Sequence, residues 1–243
     1  MRNVFLVARR EFKLFFVSPI AYVVAILFFV ILGVIFYLNI SFAMQGGQIT
    51  PDGRIVMSPL VTILIFATPA ITMRLLADEQ KTGTIELLLT SPVRDWELVV
   101  GKWLGAVGFM VILLAVTWIY PLIIHQLTEP GIDQGVLVSA YIGLLLLEGT
   151  LLAIGTFISA LFNNSVAAFF VTLAVMLTLW IVGGFATDTG SGSEIARNLS
   201  FLNHYYDNLF QGVVDIGDLI YFISLTVLAL FLGTQVIGAR RWV

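Results

Sequence analysis

The chain has 243 residues, of which 59% are hydrophobic and 11% charged, with a mean hydropathy of +1.02 and a formal net charge of -3. That balance excludes a water-soluble domain and defines an integral membrane protein. Cysteine is absent, which excludes disulfides and thiolate metal sites. The long unbroken apolar runs, each meeting the roughly 20 residues a helix needs to cross a bilayer, exclude the alternating strands of a membrane barrel.

In chain order, residues 1–18 read as an interfacial helix. Phe5, Ala8, Phe12, Phe15 and Phe16 share one face at helical spacing and Arg2, Arg9 and Lys13 another, as in a helix lying among lipid headgroups. Basic residues run through the segment and no small-residue cleavage site follows, so it is not read as a cleavable signal. Ser18-Pro19 breaks it. Spans are expected at 20–40, 55–73, 98–120, 136–161, 166–186 and 218–237. Pro69 removes a backbone donor from the second span and is expected to kink it. Asn163-Asn164 makes a tight turn before the fifth. The connection 187–217 opens Gly/Ser-rich and then presents Phe201, Leu202, Tyr205, Tyr206, Leu209 and Phe210. It reads as an extracytoplasmic re-entrant or capping segment, with plain anchoring at the lipid interface as the alternative.

The basic residues set the orientation. If the amino terminus is inside, Arg2, Arg9, Arg10, Lys13, Arg74, Lys81, Arg94, Lys102, Arg240 and Arg241 all face the cytoplasm, and only Arg54 and Arg197 face outward. Both termini and the stretch 78–97 are then cytoplasmic.

That stretch carries Asp78, Glu79, Glu86, Asp95 and Glu97, an unusual density of acids for this chain. Thr82-Gly83-Thr84 interrupts the helix leaving the second span. Ile85, Leu88 and Leu89 then form a one-sided apolar face opposite Glu86 and Thr90. Ser91-Pro92 reads as a helix start, with Asp95 and Glu97 in the early turns where the helix dipole favours acids. A short helix between two breaks and joined to two spans can work as a lever; an ordered loop is the alternative.

Gly101-Lys102 is not a phosphate-binding loop, since Trp96 stands where the first glycine of that motif belongs and Trp103 where Ser or Thr is needed. Gly101, Gly105 and Gly108 instead offer a small-residue packing face. Glu148 stands near the middle of the fourth span, where a carboxylate costs at least about 2 to 3 kcal/mol unless neutralised or partnered. It is either a polar contact on a translocation path or a protonated, hydrogen-bonded packing residue. His204 and Asp207 fall at helical spacing and read as a surface pair; with His125 the only other histidine, no metal site is expected. No Ser, His and acid arrangement suggests a hydrolase, and no basic aromatic patch suggests nucleic-acid binding.

Glu79, Gly83-Thr84, Glu86-Leu87-Leu88, Pro92 and Gly101-Lys102 together resemble the signature between the second and third spans of ABC-2 type permeases, the membrane subunits of one class of ATP-binding-cassette transporter. Phe201, His204, Phe210, Gly212, Val213, Asp215, Asp218, Leu219 and Tyr221-Phe222 resemble the segment before the last span in the branch that includes gliding-motility permease subunits and similar bacterial exporters. The resemblance implies an all-α integral membrane fold of six transmembrane helices, with the N-terminal helix as a connecting helix and a cytoplasmic coupling helix between spans two and three. It implies a bacterial inner-membrane location, a second permease subunit (the same chain or a paralogue) and two cytoplasmic ATPase subunits. Glu79, Gly83, Thr84, Glu86, Leu88 and Pro92 would lie at the ATPase contact. ATP and Mg would bind the partner, with no cofactor on this chain and no enzymatic activity of its own. Two functions stay open: export of an amphiphilic substrate, and transmission of force to a periplasmic partner with nothing crossing the bilayer.

Overall fold

The structure is a computed structural model that describes residues 2–45, 53–84, 93–128, 131–184 and 200–240. The regular elements among them are helical: α1 (Arg2–Val17), α2 (Pro19–Met44), α3 (Met57–Thr72), α4 (Ala77–Lys81), α5 (Asp95–Val116), α6 (Ile119–Leu127), α7 (Gln134–Leu161), α8 (Ser165–Gly184), α9 (Phe201–Tyr206) and α10 (Ile216–Arg240). Single 3-10 turns lie at Gly53–Val56 and Leu209–Gln211. Six stretches are long and apolar enough to cross a membrane: Pro19–Met44, Arg54–Lys81, Asp95–Leu127, Gln134–Leu161, Ser165–Val182 and Ile216–Arg240. The protein is therefore all-α with six membrane-crossing segments.

Local chemistry sets the boundaries. Ser18 is extended, as a residue before proline must be, and Pro19 opens α2, where its missing N–H costs nothing. Asp133 caps α7 by accepting from Gly135 N at 2.9 Å, and Asn164 Oδ1 caps α8 by accepting from Val166 N at 2.9 Å. The third span departs most from its expected limits. It begins at Asp95, where Arg94 N donates to Glu97 Oε2 at 3.0 Å, and after a turn at Thr117-Trp118 it resumes as α6 through Leu127. Pro121, just past the expected limit at residue 120, sits in the first turn of α6, where proline is tolerated. The hydroxyl of Thr117 donates to Leu114 O at 2.7 Å and lies 2.9 Å from Tyr141 Oη, tying the turn to α7.

The bundle is centred on α7. Of its apolar stretch 72% is buried, against 17% for α2 and for α8. Along α7 pack α10, α3, α5 and α8. Small residues let them approach: a Cβ at Gly143 would fall 3.0 Å from the Tyr205 ring, and one at Gly233 of α10 would meet Phe157 Cα at 3.5 Å. Leu144, Leu147, Leu151, Phe28 and Phe222 fill the core between these helices. By contrast α2 exposes Ile26, Val30 and Tyr37, and α8 exposes Phe170, apolar faces suited to lipid or to a further protein surface.

The packed face of α1 overlaps the expected aromatic face only in part. Phe5 and Phe16 are exposed, whereas Ala8, Phe12 and Phe15 pack toward α5 together with Val4, Val7 and Glu11. The reason is α5, which lies alongside in the same direction. Asn3 Nδ2 donates to Glu97 Oε2 at 3.1 Å at one end, and Phe15 stacks on Phe109 with centroids 4.9 Å apart at the other. A helix so placed cannot lie crosswise to α5, and its partner takes the small residues and one carboxylate together with Phe12 and Phe15 of the aromatic face.

Candidate functional site

The candidate site is built where α3 ends. Pro69 lies inside α3, and the helix gives out four residues later in a turn at Met73–Leu76 before α4 resumes. An interruption inside an apolar bundle frees backbone groups that no water can satisfy. Ser159 of α7 supplies the partner: its Oγ accepts from Leu76 N and from Ala77 N, each at 3.1 Å, and its hydroxyl donates to Met73 O at 3.3 Å. One wholly buried serine thus seats the break. Gln80 of α4 adds a second tie to α7, its Nε2 donating to Ala160 O at 2.8 Å.

Gly83 stops α4. Its φ of +71° is the left-handed conformation that ends helices and that glycine adopts without strain. The flanking threonines complete the stop: Thr82 Oγ1 donates to Asp78 O at 2.8 Å, and Thr84 Oγ1 lies 3.3 Å from Glu79 O. Both side chains are exposed.

Glu79 turns the other way, into the protein, where its Oε1 lies 2.9 Å from Lys102 Nζ. Lys102 also meets Glu11 Oε2 of α1 at 3.0 Å and is 3% exposed. Gly101, Gly105 and Gly108 line the adjoining groove of α5 against α1. A Cβ at Gly101 would fall 2.7 Å from Val7 Cβ, one at Gly105 2.6 Å from Glu11 Cβ, and one at Gly108 3.2 Å from Phe12 Cδ2. Glu86, Leu88 and Pro92 lie outside the described residues. Of the residues expected at this site, the structure therefore groups Glu79, Gly83, Thr84, Gly101 and Gly105 around the end of the second span. It adds Ser159, Glu11 and Gln80, for which the sequence offers no signal beyond polarity in an apolar run.

A cavity of about 400 Å³ opens beside this assembly between α1, α2 and α3. Its walls are apolar, with Phe15, Val24 and Ile71 among them, and Arg74 and Asp78 stand at its edge, their side chains 3.7 Å apart.

Glu148 lies deeper in the bundle, 2% exposed, between α7 and α3. Both carboxyl oxygens are 3.0 Å from Thr68 Oγ1, which also sits 2.7 Å from Leu64 O. A threonine has one hydroxyl proton, so Thr68 shares its donation between Leu64 O and the Glu148 carboxyl, which ties α7 to α3. Glu148→Gln, which keeps a hydrogen-bonding group there, is expected to cost less than about 1 kcal/mol. Thr68→Val is expected to cost about 1 to 3 kcal/mol and to cost far less in a Glu148→Leu background. Thermal unfolding of the four detergent-purified variants checks the cycle, and equal costs in both backgrounds would remove the pairing.

At the opposite end of the bundle, one side of the described part of the last connection is buried in protein, while Val213 and Val214 are exposed. Phe201, Tyr205 and Leu209 are 2%, 0% and 0% exposed. Ser139 Oγ of α7 lies 3.1 Å from Leu209 O, and Arg54 Nη1 donates to Gln211 Oε1 at 2.7 Å. Burial, with Tyr206 and Tyr141 next in weight, pushes the Tyr205 phenol well above its ordinary range, so it remains a neutral donor. His204 pairs not with Asp207 but with Asp218 at the start of α10, Nδ1 to Oδ1 at 2.7 Å, while its ring stacks on Tyr221 at 3.9 Å. Asn208 Nδ2 donates to the other oxygen of Asp218 at 2.9 Å. Helical spacing suggests Asp207, which keeps helical conformation as the C-cap of α9, but its side chain is exposed and the carboxylate that meets His204 comes from α10.

Six membrane-crossing helices define a multi-pass membrane protein, with a polar joint at the end of its second span. The chain belongs to the ABC-2 family transporter proteins, whose family model matches residues 5–238. No curated protein matches it. It is a membrane permease of an ATP-binding-cassette transporter, from a family of membrane subunits that lack an ATPase of their own and work with an ABC ATPase subunit.

Proposed function

We propose that the chain exports an amphiphilic substrate across a bacterial inner membrane, as one of two permease subunits driven by two cytoplasmic ATPases that bind the ATP and Mg. Both termini and residues 78–97 face the cytoplasm, and the stretch following Gly83 is the coupling helix, with Gly83, Thr84, Glu86, Leu88 and Pro92 at the ATPase contact and Glu79 turned inward behind it onto Lys102. The observation that carries this reading is the seat of α4. A helix broken from its span is held by Ser159 of α7 and by Lys102 of α5, and it ends at an exposed Gly83 stop.

The amphiphilic class is supported by the cavity between α1, α2 and α3, which joins apolar walls to an Arg74 and Asp78 edge. Thr68, Thr72, Glu148, Thr150 and Ser159 hydrogen-bond inside the single bundle. A substrate path is therefore assigned to the space between two permease subunits, along the exposed faces of α2 and α8. Glu148 belongs to packing in this reading, and unaltered export by Glu148→Gln is the expected result.

Replacing Glu86 with Arg, or Leu88 with Arg, is expected to reduce the ATPase recovered with the affinity-purified permease at least about tenfold, with the permease itself extracted as a monodisperse species. Undiminished recovery in both variants would overturn the assignment. Flux measured in proteoliposomes separates export from force transmission: ATP hydrolysis without movement of any fluorescent lipid analogue would favour the latter.

A further inference from the structure

Two carboxylates from distant parts of the chain converge on one buried ammonium. Lys102 of α5 reaches Glu11 of α1 at 3.0 Å and Glu79 of α4 at 2.9 Å, and the second oxygen of Glu79 is buried without a partner. Buried ion clusters are poor stabilisers compared with apolar residues of the same volume, so the arrangement is not explained by the strength of the fold. What it supplies is direction. The pairs α1 with α5 and α4 with α7 each have packing of their own: the glycine groove holds the first, and Ser159 with Gln80 holds the second. Only through Lys102 do α1 and α4 share a side chain among the contacts described here. Separating α4 from α1 along this line leaves an uncompensated charge inside the protein, whereas a purely apolar contact would slip.

We propose that Lys102 is a positioning residue that locks α4 to α1, so that displacement of the segment after Lys81 carries α1 and the start of α5 with it as one body. The inference rests on the reading of residues 78–97 as the ATPase contact. A push delivered there then enters the membrane at two places: along α3 and α4, seated on Ser159, and along α1, which leads directly into α2 through Ser18-Pro19.

The test uses the permease co-purified with its ATPase in nanodiscs, and compares Lys102→Met, Lys102→Arg and the uncharged triple variant Glu11→Gln, Glu79→Gln, Lys102→Met. The triple variant leaves no unpaired charge behind and decides the matter if Lys102→Met alone fails to fold. The expected result is that the triple variant melts within a few degrees of the parent, retains its ATPase and keeps the KM for ATP. Its kcat for ATP falls about tenfold, as for a residue that carries coupling between two sites. Lys102→Arg returns kcat to within about threefold of the parent. A triple variant with the parental kcat would overturn the lock, as would one in which kcat, ATPase recovery and melting temperature all fall together, since the cluster would then serve the fold alone. Failure of the unsubstituted chain to retain any ATPase would instead remove the coupling reading, and this inference with it.

Discussion

Replacing Ser159 with alanine is expected to unfasten the break in the second span and to destabilise the protein by about 1 to 3 kcal/mol for each amide left without an acceptor. The two amides are Leu76 N and Ala77 N, both 3.1 Å from the serine oxygen. Neither water nor another side chain can replace that oxygen, because Leu76, Ala77 and Ser159 are all fully buried. The effect has a local signature. Hydrogen exchange at Leu76 and Ala77 should quicken before any change at Leu147 or Leu151 in the core, and the melting temperature in detergent should fall. Ser159→Ala with parental exchange at both amides would show that the turn holds itself. The same substitution is expected to lower ATPase stimulation, since α4 would no longer be seated when the segment beyond it is pushed.

Gly105→Ala is expected to cost about 1 to 3 kcal/mol, as overpacking of a close contact does. The added carbon would fall 2.6 Å from Glu11 Cβ and 3.0 Å from Ala8 O. The backbone oxygen cannot rotate aside, so α1 must move bodily off α5, and the ion contacts of Lys102 stretch with it. Gly149→Ala is the control: there the nearest atom is Trp103 Cζ2 at 3.8 Å, ordinary contact, and alanine also favours a helix over glycine. Thermal unfolding of the two variants side by side should separate them clearly. Because the chain contains no cysteine, a thiol introduced at Glu11 in the Gly105→Ala background reports the displacement directly, through faster labelling than in the parent. Equal labelling and equal melting would mean that the groove tolerates a methyl group.

These two positions mark the boundary of what the sequence makes legible. Long apolar runs locate all six crossings, and glycine recurrence at 101, 105 and 108 suggests a packing face, because both features are carried by composition along one helix. The occupant of that face is not so carried. The amphipathic pattern of α1 is satisfied equally by lipid and by a neighbouring helix, and it points to the phenylalanines, whereas the glycines of α5 admit Val7, Ala8 and Glu11 together with Phe12. The same holds for Ser159. A serine in a span is unremarkable by type, and its meaning comes from standing opposite a backbone break 83 residues away in sequence. His204 shows the reverse error: a near neighbour, Asp207, fits helical spacing, but the partner is Asp218, brought to it from the start of α10 by packing that local spacing does not record. Glu148 is visible in the sequence as an anomaly, but its neighbour Thr68, 80 residues away, is not.

The side-by-side course of α1 and α5 also constrains how the protein is made. The asparagine that begins the contact and the glutamate that receives it are 94 residues apart, and Glu11 is 91 residues from Lys102. Two membrane crossings are synthesised between them. During that interval the helix with Glu11 has neither its groove nor its counter-charge. It must wait in a provisional position, where its exposed phenylalanines and arginines suit the bilayer surface, and transfer to α5 only when the third crossing arrives. Phe5 and Phe16, which the finished fold leaves outside, then hold the helix during assembly. Ribosome-bound intermediates stopped before and after residue 110 should differ in whether a thiol at Glu11 can be reached.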